Sequence, residues 1–433
     1  MIVEKLKKKN ILSNASFLEI CKLKYIARDL LNKYLTNNNL RSYFTSFLKI
    51  RKLDKEEIKK LSQLKRIIIR KDLRIFFKNT LRIIDLGIID YRSNIGIIIS
   101  CLFSDLNRFY NTVDYKEKEY IYNINNNNEF DIGNLYSNIR NRNRFLRHLI
   151  KIFKQNQEYF YLVIINGSIG TNDYKPGWSD VDLFVMVSKE AVLFPEKLKK
   201  LRKLIISIEK QIYKYSILQL HNLFISTEID RKFHFNSFFP SECIKYGKVI
   251  VSKYAKVEFH IPLYAQPLDN YKYFLKDIYL SSFNLLIKRD LSYYDKVLLL
   301  HRIFSFPFSF LQCMNIYTYK KHSYKHICKG YNTLFPGISD FYEEVNKFYY
   351  SWEIKNLRTL KIRSILLDII YTPNRVNRIF FRFEKEILDN LTKGFDKYVY
   401  PNLQIYANFL CSARVNLNKK LPQEIIMLVE NNI

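Results

Sequence analysis

Glycine is scarce here, with ten residues in 433; ten prolines, six cysteines and two tryptophans accompany it. The cysteines (Cys21, Cys101, Cys243, Cys313, Cys328, Cys411) are scattered, with no CxxC pair and no short-spaced framework. That spacing argues against a disulfide scaffold and a structural zinc centre, and reads as buried thiols in a reducing compartment. Long apolar runs are missing too. The longest, "IGIIISCLF", is about half of the ~20 residues a bilayer span needs, and no apolar segment follows the charges of "MIVEKLKKKN". A soluble cytoplasmic protein with no membrane partner is the expectation. No internal repeat is present.

Acid is the other shortage: 41 Asp and Glu stand against 71 Lys and Arg, a formal charge of +30. Residues 1–80 concentrate the excess, with 21 basic side chains against 7 acidic ones. A basic surface gathers nucleotides, nucleic acids or acidic lipid without choosing among them. The Lys-, Ile- and Asn-heavy composition is what an AT-rich genome writes, so part of the charge carries no message. Basic helices with a solvated face are the plain reading of 1–80, and RNA contact is the alternative.

The sequence divides into three parts. Residues 1–145 read mainly as helix, as in "LEICKLKYIARDLLNKYL" and "IRNRNRFLRHLIKIFK", where apolar residues recur at spacings of three and four. The run "NINNNNEF" at 123–130 reads as a loop. Residues 146–264 change character: "YFYLVIIN" (159–166), "VDLFVMVS" (181–188) and "LQLHNLFISTEI" (218–229) read as strands, with a helix over 189–216. Residues 265–433 return to helical spacing, with Pro307, Pro336 and Pro373 expected at element boundaries. An α+β fold follows, a small mixed sheet flanked by helical N-terminal and C-terminal regions.

Against that scarcity, "LVIINGSIGTNDYKPGWSDVDLFVMV" (162–187) places Gly167, Gly170 and Gly177 within eleven positions, beside Trp178. Side chains alternate along a strand, so Asp180 and Asp182 share one face. Two carboxylates on a rigid edge suit magnesium, a hard ion that needs only one or two protein carboxylates when a substrate supplies phosphate oxygens. Gly167 lets the backbone approach a phosphate, and the Ser168 hydroxyl can donate to its oxygens.

This stretch resembles the Gly-Ser, spacer, Ser-Asp-x-Asp signature of the polymerase-β-like nucleotidyltransferases, and looks most like the aminoglycoside nucleotidyltransferase branch. The resemblance implies a nucleotidyltransferase core. Gly167, Ser168 and Ser179 would belong to the nucleotide site, and Asp180 and Asp182 would ligate Mg2+. It further implies transfer of a nucleotidyl group, AMP from ATP, to the hydroxyl of a small acceptor, releasing pyrophosphate. The family places a third carboxylate on the next strand, where this chain has Gln219. His221, whose imidazole titrates near neutrality, and Glu228 are the two candidates for the base. An RNA 3′ end is the second choice of acceptor and a protein hydroxyl the third; a non-catalytic nucleotide-binding protein of the same fold is the rival class. In the C-terminal part, Lys320 or Lys321 is available to a phosphate. His322 and His326, with Cys328 close by, have metal-like spacing but no fourth ligand.

Overall fold

The computed structural model describes residues 14–36, 55–70, 73–90, 95–112, 119–125, 140–171, 174–175, 178–215, 219, 223–234, 239, 244, 246–262, 266–352 and 385–430. The fold is α+β. Its N-terminal helices are α1 (Asn14–Thr36), α2 (Lys55–Arg70), α3 (Lys78–Asp90), α4 (Ile95–Thr112) and α5 (Arg140–Gln155), with strand β1 (Glu119–Asn125) between the last two. There follow β2 (Phe160–Asn166), the single turn α6 (Gly167–Gly170), β3 (Asp182–Val187), α7 (Lys189–Leu193), α8 (Pro195–Tyr215), β4 (Phe224–Thr227), β5 (Lys248–Ser252) and β6 (Lys256–Pro262). The C-terminal helices are α9 (Gln266–Tyr273), running through a wider turn at Phe274–Leu280 into α10 (Ser281–Leu286), then α11 (Tyr293–Cys313), α12 (Lys320–Gly330), α13 (Ile338–Ser351), α14 (Lys385–Gly394), α15 (Leu403–Lys420) and α16 (Gln423–Glu430).

The unbroken apolar runs of β2 and β3 form the middle of a four-stranded sheet ordered β4-β3-β2-β5, in which only β3 and β4 run parallel. Both sheet faces are covered, as such runs require. On one side Val163, Ile165, Leu183, Val185 and Val187 share a core with α8, α5, α4 and α1. On the other, Leu162, Ile164, Phe184 and Met186 lie under Phe239, Val257 and Phe259. The N-terminal helices therefore continue the sheet's own core, and α5 spans the expected boundary at 145/146. A buried ion pair, Lys24 Nζ to Asp230 at 3.4 Å, ties α1 to the turn after β4. The C-terminal helices build a separate apolar core.

Three expectations need correction. Asn123–Asn125, the first part of the expected loop at 123–130, lie within β1, paired with Lys256–Glu258 of β6, because strand pairing is made by backbone groups and a partner overrides a poor local propensity; residues 126–130 lie outside the described residues. Glu228 stands outside the strand, at the start of a 3₁₀ turn (Glu228–Phe233) that Thr227 caps through Asp230. Pro307 sits inside α11 rather than at a boundary. A helical proline leaves the carbonyl four residues back without its donor, and here the Tyr342 hydroxyl donates to that carbonyl, Ile303 O, at 2.9 Å. Pro336 does precede a helix start at Gly337, and Pro373 lies outside the described residues.

Candidate functional site

The site lies at the edge where β2 ends and β3 begins. Asn166 and Asp182 are direct partners in the antiparallel register, so their side chains emerge on the same face. Val181 joins Leu183 in the helix-covered core, which leaves Asp180 and Asp182 on the opposite side, both half-buried. The chain then turns at Gly167, whose φ of +62° is left-handed. A Cβ at that position would overlap the Asp182 carboxylate. Glycine is thus required twice: for the backbone conformation and for contact between the turn and the acid. A Cβ at Gly170 would crowd Ile165 O and Tyr246 O, though less severely, so this glycine lets the turn lie close to the onset of β5.

Two polar atoms beside this contact stand out. Asn166 Oδ1 and Ser168 Oγ are buried and have no hydrogen-bond partner among the described residues. Buried polar groups are normally paired, so the sheet edge presents an amide oxygen and a hydroxyl next to two carboxylates. The donor set is all oxygen, which fits a hard divalent cation whose remaining ligands come from phosphate or water. No cluster of three or more His, Cys, Asp or Glu that could hold a metal occurs among the described residues.

Two described residues of the spacer between the glycine turn and the acids are bonded to each other. Ser179 Oγ accepts from Lys175 N at 2.9 Å and Ser179 N donates to Lys175 O at 2.8 Å. Lys175 Nζ donates to Tyr349 O and lies over the Tyr349 ring. Trp178 enters the C-terminal core, stacked on His301 with centroids 4.9 Å apart. On the far side of Asp180, Gln219 clamps the chain: its Oε1 accepts from Val181 N at 2.9 Å and its Nε2 donates to Val181 O at 3.2 Å. The side chain thereby imitates a neighbouring strand where β4 has not yet begun. In place of a third carboxylate, Gln219 supplies a brace.

The two base candidates part company. His221 lies outside the described residues. Glu228 is at the opposite end of the sheet, one residue beyond the Val187–Thr227 pairing, and its Oε2 accepts from Lys189 N at 2.9 Å at the start of α7. Five residues of strand separate that end from Asp182, on the order of 16 Å at the strand rise, and exclude Glu228 from proton transfer here. Another acid, Glu209 on α8, is buried and accepts from Leu223 N at 3.4 Å, so it holds the start of β4 from the helical side. Its charge, after burial itself, pushes the neighbouring Tyr213 hydroxyl up.

Beyond the sheet, Tyr319 reaches the turn, its hydroxyl 3.2 Å from Thr171 Oγ1, and its ring packs on Tyr246 at 4.8 Å. Lys320, His322 and His326 on α12 are exposed, and the Lys321 side chain lies outside the described set. Sequence reasoning missed Asn166, Trp178 and the brace at Gln219. An asparagine closing an otherwise apolar strand was the visible signal for the first.

Residues 146–244 match the family model described as nucleotidyltransferase domain. The match supports the polymerase-β-like superfamily for this part of the chain and contains the glycine turn, both acids and Gln219. No curated protein and no solved structure matches the chain. No helix among the described residues is long and apolar enough to cross a membrane.

Proposed function

We propose that the protein transfers a nucleotidyl group, AMP from ATP, to the hydroxyl of a small acceptor in a magnesium-dependent reaction. The observation that carries this reading is the Gly167 turn seated on the Asp182 carboxylate, with the buried Ser168 Oγ and Asn166 Oδ1 beside it. Asp180 and Asp182 would hold the cation, and Gly167 and Ser168 would contact the triphosphate, with Ser179 keeping the spacer in place. Magnesium bound there supplies charge neutralisation on the phosphates and polarises the reacting oxygens.

The acceptor oxygen attacks the α-phosphorus; the bond from that phosphorus to the bridging oxygen breaks and pyrophosphate leaves. The acceptor's proton must go to a base, and His221 is the remaining candidate, since Glu228 is committed to α7. Positioning and charge stabilisation carry most of such chemistry. The small acceptor rests on the likeness to the aminoglycoside branch and on the helical C-terminal region that borders the turn through Tyr319.

The test uses α-phosphate-labelled ATP, magnesium and a cell extract separated into small-molecule, RNA and protein fractions, with Asp182→Asn in parallel. Label entering the small-molecule fraction with wild type alone supports the reading. Equal labelling by Asp182→Asn would sink it, and label in RNA or protein would replace the acceptor class.

A further inference from the structure

Asp180 and Asp182 stand two residues apart yet are held by different parts of the molecule. Asp182 is the first residue of β3 and is fixed by the sheet through its pairing with Asn166. Asp180 precedes the strand, between the Val181 backbone clamped by Gln219 and the Trp178 ring buried among the C-terminal helices. Trp178 is 6 % exposed. It stacks nearly parallel on His301 of α11, at 12° between planes, and meets Phe348 of α13 at 5.5 Å and Trp352 at 5.4 Å. Lys175 adds a second attachment to α13 through Tyr349. So large a ring in a closely packed core cannot shift without moving its neighbours, and only Ser179 separates it from the acid.

We propose that Trp178 is a positioning residue through which the C-terminal helices set where Asp180 stands relative to Asp182, and hence how tightly the pair takes a metal-bound nucleotide. The inference rests on the reading that these two acids share the cation. It gives the C-terminal helices a part in the site beyond enclosing it: the carboxylate pair spans the junction between the sheet and the C-terminal core. Any change in how that core packs on the spacer alters the spacing of the pair.

Trp178→Ala and Trp178→Phe are compared with Phe348→Ala, which removes a ring from the same cluster without lying next to an acid. Each is measured for thermal midpoint and for the magnesium concentration at half-maximal binding of a non-hydrolysable ATP analogue. Outer supports of metal ligands are typically worth about 10–100-fold in metal affinity, so Trp178→Ala should raise that concentration by roughly tenfold or more, Trp178→Phe by less, and Phe348→Ala by under about twofold although it also lowers the midpoint. Equal losses in Trp178→Ala and Phe348→Ala would reduce Trp178 to a structural role and overturn the inference, as would Trp178 variants that bind like wild type. Where Trp178→Ala does not fold, Trp178→Phe alone against Phe348→Ala decides on the same criterion. Wild type that binds no magnesium–nucleotide overturns the functional reading first, and the inference with it.

Discussion

The two ends of the central sheet both carry acids next to hydroxyl-bearing turns, and they use them differently. At the far end, Asp230 accepts from Thr227 N at 3.0 Å and Thr227 Oγ1 at 2.8 Å and pairs with buried Lys24, while Glu228 accepts from Lys189 N. Each carboxylate there has a structural task that its neighbours explain. At the near end, Asp180 and Asp182 lie beside an amide oxygen and a hydroxyl that are buried without a partner among the described residues. The far-end acids are accounted for by the donors that meet them; beside the near-end pair stand polar atoms that no described residue satisfies, as the proposed ligand site requires.

The contrast breaks most visibly at the two aspartates. Asp182→Asn removes half of the carboxylate pair and leaves the strand's backbone bonds in place, so the transfer rate should fall by at least about 10³-fold, a barrier increase of several kcal/mol. Its unfolding midpoint should stay near wild type. Asp230→Ala should do the reverse. It strands the Lys24 ammonium in the core and should cost about 4 kcal/mol of stability by denaturant titration, with the turnover of the folded fraction unchanged. Similar outcomes for both variants would erase the distinction between the ends.

A smaller effect is expected at the glycine. Gly167→Ala forces a side chain into left-handed backbone and into the Asp182 carboxylate, which should cost roughly 2 kcal/mol of stability. The displacement of the acid should slow transfer by about 10²-fold. A rate loss with no stability loss would mean that the turn relaxes and only the acid moves.

The near end was legible in the sequence because its physics is local. Gly167, Ser168, Asp180 and Asp182 fall within sixteen positions, bounded by two runs whose β-branched and aromatic content marks buried strands. What stayed hidden depends on distant partners. Gln219 reads as a failed third acid until its amide is seen bonded to both backbone groups of Val181, 38 residues away. Trp178 reads as part of the turn until its neighbours prove to be His301, Phe348 and Trp352. Pro307 reads as a helix end because the hydroxyl that replaces its missing donor comes from Tyr342. Strand β1 was concealed because its pairing with β6 is made by the backbone, which composition does not describe.

Glu228 supplies the finest discrimination between the two ends. Strand alternation over 218–229 would carry it along an unbroken β-strand, but β4 stops at Thr227 and the chain winds into a 3₁₀ turn. There its carboxylate meets the first amide of α7, where a negative charge is favoured by the unsatisfied N–H groups of a helix start. Glu228→Gln keeps an acceptor oxygen of nearly the same reach and surrenders only the charge. It should cost less than about 1 kcal/mol of stability, measured by denaturant titration, and leave the transfer rate and its pH profile untouched. A pH profile that loses its acidic limb in Glu228→Gln would return this residue to the chemistry, and would require the sheet to bring its two ends together. The Val187–Thr227 pairing and the Lys189 bond oppose that movement, so a base titrating in the reaction should instead vanish with His221→Gln.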